Sequence, residues 1–292
     1  MYKEIQNNKI KTWLIMIGFL AIAAAVAFMG YLITGSKGTI ISVMVGSLIY
    51  SLISYFLASK TALVLNGAKE ITKSDNPRLY RIVENISITT GMPIPRVYMM
   101  QDPAPNAFAT GRNPNNAYVC ATTGLLEIMD DSELQGVMAH EMGHVQNYDI
   151  RVNMVAFALV SVISMLSDII LRMTFFGRDD RENSSPVLMV IGIVGLIIAP
   201  IAASLTQLAI SRKREYLADA TGALTTRYPE GLASALQKIS DVGSVTKKHN
   251  GATAHMFFAN PLKAKNFAKL FSTHPPIEER ISRLRGMNLN GQ

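Results

Sequence analysis

The chain has 292 residues, of which 49% are apolar and 17% charged, with a net charge of +7. This apolar excess excludes a disordered chain and departs from an ordinary soluble domain, and no aromatic-plus-basic module supports a nucleic-acid partner. The single cysteine, Cys120, excludes an internal disulfide and fits a reducing compartment.

The first region, 1–58, reads as a transmembrane hairpin. Trp13 to Ile33 and Ile40 to Ala58 carry no charge and are joined by a Gly35-Ser36-Lys37-Gly38 turn. Each run is long enough to cross a hydrocarbon core of roughly 30 Å as a helix. Lysines precede the first run, as in a signal peptide, but it lacks a clear cleavage site and a second apolar run follows at once, so it reads as an anchor. A second hairpin is expected over 152–210, with spans at about 152–170, broken only by Asp168, and 187–210. Lys3, Lys9, Lys11, Lys60, Lys69, Lys73, Arg212, Lys213 and Arg214 flank the four runs on one side. By the positive-inside rule both termini and the large polar segments are cytoplasmic, and the positive charge favours anionic inner-leaflet lipid.

Residues 59–151 read as one catalytic half with mixed secondary structure. Asp75 before Asn76-Pro77 marks a helix start, Leu79, Ile82, Val83 and Ile86 give its period, and Gly91 with Pro93 ends it. Arg96 to Met100 and Tyr118 to Thr122 are predicted strands, with Asn106 to Thr110 a further short edge strand between turns. Cys120, inside the apolar stretch Ala117 to Ala121, reads as a packed core thiol. Asp130 and Glu133 form a predicted capping box, and the helix so begun runs through Leu134, Val137 and Met138 into His140-Glu141-Met142-Gly143-His144. Residues 211–292 read as a second, mostly helical catalytic half, with 244–265 unassigned. The fold class is therefore an α+β membrane protein, mainly helical, with a small β-sheet and four transmembrane helices.

The His-Glu-x-x-His string carries the chemistry. Residues four apart share a helical face, so His140 and His144 can reach one metal ion, while Glu141 can take the proton of a water there. The bland alternative is a charged surface helix. Catalytic zinc sites usually have three protein ligands, so one is missing. Glu182 lies in an expected outer loop. Asp149, one turn and a residue past His144, is expected to point away. Glu215 follows the fourth span directly, as the motif helix precedes the third, so a hairpin would return it to His140 and His144. Spacing alone leaves open whether it binds metal or pairs with Arg212 or Arg214. Asp219, one turn later, could orient a ligand histidine through its ring N–H.

Four strings together resemble the HtpX family of membrane-embedded zinc metalloproteases, related to the CAAX prenyl proteases. They are Asn106 to Gly111 (NAFATG), His140 to His144, Ser211 to Asp219 (SRKREYLAD) and Ser272 to Pro276 (STHPP). The likeness covers roughly residues 10–290. It implies a zincin-like catalytic domain with one Zn2+ per chain on His140, His144 and Glu215, and Glu141 as catalytic base. It also implies cytoplasmic catalysis in the cell membrane on damaged or misfolded membrane proteins. By the same likeness Asn106, Ala107 and Phe108 belong to an edge strand that pairs with extended substrate, although an ordinary turn-bounded strand accounts for them equally. His274, on a stiff loop before two prolines, could cap the metal, bind the oxyanion, or serve only in local hydrogen bonding. Arg280 could anchor that loop or bind a substrate carboxylate. His249 and His255 read as bystanders.

The expected function is hydrolysis of peptide bonds in membrane proteins at the cytoplasmic face. A CAAX-type processing protease of narrow scope is the near alternative, and a zinc-binding membrane scaffold or small channel comes from another class. Native substrates and oligomeric state are not legible in the chain.

Overall fold

The computed structural model describes residues 2–158, 212–243, 256–259 and 275–287. The chain divides into two compact units, one of Met1–Asn8, Ser59–Met154 and Ile210–Gln292, the other of Lys9–Ala58 and Val155–Ala209.

The second unit draws on two long helices, α1 (Tyr2–Thr34) and α2 (Lys37–Leu65), and on part of a helical stretch over 149–158. Gly35, at φ 65°, turns the chain between the first two. The Tyr50 hydroxyl donates to the Ala158 carbonyl at 3.0 Å. Many large apolar side chains on these helices face outward, among them Trp13 (62% exposed), Leu14, Ile17, Phe28, Leu52 and Phe56. Among the described residues no single helix is long and apolar enough to cross a membrane. Lys37–Ile53 and Tyr55–Leu65 meet that test only as a pair bent by 61°. Four separate crossing helices are therefore not established here, and most of the expected third and fourth spans lies outside the described residues.

The first unit is mixed. Its sheet has the order β1-β2-β4-β3, from β1 (Ala68–Glu70), β2 (Arg96–Met100), β3 (Ala107–Asn113) and β4 (Asn116–Thr122). Only β2 and β4 run parallel, in the register Val97 with Val119 and Met99 with Ala121. The expected strands are present, with β3 and β4 longer than predicted because Asn113 and Asn116 pair across a tight turn. β1, which has only three residues, gave no period to read.

Helix α3 (Pro77–Thr90) is capped by Asn76, whose side chain accepts from Leu79 N, and it ends at Gly91 with φ 68°. Asp75, expected to mark its start, instead accepts from the backbone N–H and hydroxyl of Thr72, closing the preceding turn. A short α4 (Thr123–Ile128) leads to α5 (Asp131–Gln146), the motif helix. Among the described residues α6 (Arg212–Thr226), α7 (Pro229–Val242) and α8 (Ile277–Arg285) come later in the chain. Leu79, Val83, Ile86, Val97, Val119, Leu134, Val137, Met138 and Leu236 form one buried core from sheet and helices. Cys120 is buried within β4, and burial pushes its thiol pKa up, as suits a packed thiol.

Candidate metal centre

Helix α5 begins with the expected capping box. Asp130 accepts from Glu133 N, and Glu133 accepts from Asp130 N. Glu133 also accepts 2.6 Å bonds from Ser234 and Lys238 of α7, which ties the two helices together at this end. Small residues then let the helices approach closely. A Cβ on Gly136 would lie 2.7 Å from Leu232 N in α7, and one on Gly222 of α6 would lie 3.0 Å from His140 N. That second contact presses α6 against the very turn that carries the first histidine, and so sets how far Glu215 stands from it.

Among the described residues His140, His144 and Glu215 form a group able to hold a metal, each offering one ligand atom within 4.8 Å of the others. His140 Nε2 lies 3.1 Å from His144 Nε2 and 3.8 Å from Glu215 Oε2, and His144 Nε2 lies 3.6 Å from the other oxygen, Glu215 Oε1. Tetrahedral zinc with bond lengths of about 2.0–2.2 Å sets its ligand atoms about 3.4 Å apart, close to this triangle.

The outer contacts strengthen the fit. His140 Nδ1 is 2.9 Å from Asp219 Oδ1, and His144 Nδ1 is 2.9 Å from Asp149 Oδ2. Each Nδ1 can therefore donate its proton to a carboxylate, which leaves the two Nε2 lone pairs facing each other. Two lone pairs at 3.1 Å repel unless a cation or a proton lies between them. The donor set, two imidazoles each braced from behind and one carboxylate, suits zinc.

The charge states follow from the surroundings. Burial lowers the His140 pKa to about 4, against the pull of Asp219, with Arg280 adding to the lowering. Burial would lower His144 as well, but the Asp149 hydrogen bond and the Glu215 charge win and raise it to about 9. In the metal-free protein His144 thus carries the proton that bridges the two rings. Burial raises Glu141 to about 7, despite the His144 charge and a backbone hydrogen bond from Ala109 of β3.

Asp149 corrects an expectation. It points to His144, not away, because α5 stops at Gln146 and Tyr148 adopts φ 62°. That left-handed residue turns the chain back on itself, an uncommon conformation for a large side chain. Asn147, a residue type favoured at helix C-termini, was the only local signal for it. Arg214, considered in the sequence as a partner for Glu215, lies 3.6 Å from Asp149 instead. Asn8, which no motif marked, donates to Asp149 Oδ1 at 2.7 Å and to the Asn147 carbonyl at 2.9 Å.

Arg280 is 1% exposed and clamps Asp219 with two bonds of 2.8 and 2.7 Å, so the carboxylate it meets belongs to this chain. Its Nη2 and His140 Nδ1, 3.4 Å apart, converge as two donors on the same Asp219 oxygen. β3 is the last strand of the sheet, as expected, yet its outer side meets the chain itself. Phe257 pairs with Phe108, and Phe258 N donates to the Ala107 carbonyl at 2.8 Å. Asn106 is fully buried and grips the Ala259 backbone both ways, Nδ2 to the carbonyl at 2.8 Å and Oδ1 from the N–H at 3.1 Å. Phe258 packs its ring at 5.0 Å from His140 and lies under the Arg280 guanidinium at 4.9 Å. These contacts place 256–259, left unassigned in the sequence, beside the histidines. His274 lies outside the described residues, as do His249 and His255.

The chain is similar to known proteins. The family model described as peptidase family M48 matches residues 73–288. A protein named protease HtpX homolog from Tropheryma whipplei (strain Twist) is 50% identical over 287 residues, covering 98% of each chain. One of the same name from Streptococcus gordonii (strain Challis) is 42% identical over 297 residues, covering 98% of this chain and all of that one. The crystal structure of S. mikatae Ste24p superposes with a TM-score of 0.53 at 19% identity, over 97% of this chain and 67% of the other. That likeness is one of fold.

Proposed function

The chain belongs to peptidase family M48, among the HtpX-type metalloproteases, and from that premise we propose that it is a zinc-dependent endopeptidase hydrolysing damaged or misfolded membrane proteins at the cytoplasmic face of the cell membrane. The observation that carries the chemistry is the convergence of two braced imidazole lone pairs and one carboxylate on a single point. One zinc ion held there by His140, His144 and Glu215 would supply Lewis-acid polarisation of a peptide carbonyl and a water of lowered pKa.

The chain's own residues do the rest. Asp219 and Asp149 each take the Nδ1–H of their ring, so that both Nε2 atoms face the metal position, His144 giving up its bridging proton on binding. The Arg280 clamp holds Asp219 against rotation. Glu141, next to His140 on α5 and with its carboxyl pKa pushed up by burial in the metal-free protein, is placed to take a proton from the attacking water and return it to the departing amine.

The membrane setting is supported by the outward apolar side chains of α1 and α2, including Trp13, Leu14, Ile17, Leu52 and Phe56. Left in water, a patch of this extent favours association or lipid contact. The lysines flanking the apolar runs favour a cytoplasmic active site.

The test is metal analysis and proteolysis of purified wild type beside Glu141→Gln and Glu215→Ala. Wild type is expected to hold one zinc per chain. Glu141→Gln keeps the zinc and loses roughly 100-fold or more in turnover, and Glu215→Ala loses the metal. Unchanged cleavage by Glu141→Gln would end the hydrolytic reading. Retention in the membrane fraction after alkaline extraction checks the location.

A further inference from the structure

The peptidase family match begins at residue 73, yet one side chain far upstream of it reaches the metal centre. We propose that Asn8 is a positioning residue for zinc: it locks the Asp149 carboxylate that aims His144, so the N-terminal turn of α1 is a working part of the active site. The inference rests on the zinc reading above.

Asn8 sits in the first compact unit, at the end of its Met1–Asn8 segment, and is 1% exposed. On α1 it shares a face with the buried Thr12 and Ile15, at spacings of four and seven. Neighbouring Gln6 and Lys9 are exposed, so the buried amide is a feature of one helix face and not of the whole turn. Its Nδ2 makes two bonds, to Asp149 Oδ1 at 2.7 Å and to the Asn147 carbonyl at 2.9 Å. Both acceptors belong to the reversal at Tyr148, φ 62°, that brings Asp149 back to the histidine.

The geometry matters because that reversal is strained and short. A left-handed tyrosine costs of order 1–3 kcal/mol, so the turn persists only where neighbouring contacts hold it. Asp149 offers two oxygens, and each has its own partner: Oδ2 meets His144 Nδ1 at 2.9 Å, and Oδ1 meets Asn8. Arg214 adds only a 3.6 Å approach to Oδ1. A carboxylate with one oxygen unpinned can turn about its final bond and take the imidazole with it. The Asn8 amide, a fixed neutral donor, prevents that rotation without neutralising the negative charge that favours a metal-bound imidazole.

Zinc affinity, measured by chelator competition on the full chain in detergent micelles, tests the proposal apart from catalysis. Loss of the carboxylate in Asp149→Ala is expected to weaken zinc by roughly 10–100-fold, and Asn8→Ala, one bond further out, by roughly 3–10-fold. Asn8→Asp preserves size but replaces the donor with an acceptor, and should weaken zinc at least as much as alanine does. Gln6→Ala, on the exposed side of the same turn, should leave it unchanged. In the Asp149→Ala background Asn8→Ala should have no further effect, because Asn8 acts through that carboxylate.

A merely structural asparagine would lower the melting temperature of metal-free protein and leave the zinc dissociation constant alone. That result, or an equal effect of Asn8→Ala with and without Asp149, overturns the proposal. Wild type that takes up no zinc would instead overturn the metalloprotease reading, and this inference with it.

Discussion

The two histidines of the candidate metal centre are held by arms that look alike in outline and differ in construction. His140 leans on Asp219, which is gripped by two charge-assisted bonds from the buried Arg280. His144 leans on Asp149, which is gripped by the neutral amide of Asn8 and only approached by Arg214 at 3.6 Å. The first arm comes from two regular helices, α6 and α8. The second comes from a left-handed turn and the start of the chain. The difference shows in the protons. The guanidinium beside His140 adds to its burial and keeps the ring neutral down to about pH 4, whereas the carboxylates around His144 outweigh its burial and keep it charged up to about pH 9. One arm is thus preset for a metal, and the other holds a proton until the metal displaces it.

Breaking each carboxylate should separate the arms most strongly. Asp219→Ala strands the buried Arg280 charge, and is expected to destabilise the protein by about 3–5 kcal/mol in chemical denaturation, with zinc binding lost alongside. Asp149→Ala is expected to cost clearly less stability while still weakening zinc, since Arg214 is only loosely engaged. Equal stability losses would show that the arms are energetically the same.

The proton held on His144 gives the next largest effect. Zinc uptake near neutral pH must expel it, so affinity should rise about tenfold per pH unit between pH 6 and 8, with about one proton released in calorimetry. Asp149→Asn removes a carboxylate that holds this proton and should flatten the slope, whereas no change at His140 is expected in this range. The same raised pKa makes a statement about stability. Protonated His144 favours the folded, metal-free state fully below pH 6.5, and that contribution is lost as pH rises towards 9. Melting temperatures of metal-free protein should fall across this window, and saturating zinc should remove the fall.

A smaller effect should come from the helix contact that brings the arms together. Gly222→Ala places a methyl 3.0 Å from His140 N and is expected to cost about 1–3 kcal/mol, with zinc weakened a few-fold as Glu215 moves away. An unchanged zinc affinity would mean that the α5–α6 spacing does not tune the site.

Much of this site was legible before any fold was known. The spacing of His140 and His144 put both rings on one helix face, and the Asp130–Glu133 box marked where that helix begins. Glu215 was left open by spacing and singled out by the family resemblance; it and Asp219, one turn apart on α6, lie beside the two histidines. Asp149 was misread because an ideal helix was extended through Asn147 and Tyr148, where a single positive φ reverses the direction of the side chain. Asn106 shows the opposite limit: its position in a strand-like string was visible, but not its grip on Ala259, 153 residues away.

Local pattern, then, determined the motif helix, the strands, the apolar runs and the pairing of His140 with His144 on one helix face, since each depends on periodicity, capping or spacing within a few turns. The second carboxylate brace, the Arg280 clamp and the part played by Asn8 were decided only in three dimensions. They depend on long-range closure, in which a buried polar group must find whatever partner the packed chain brings within 3 Å, and no local period encodes that partner.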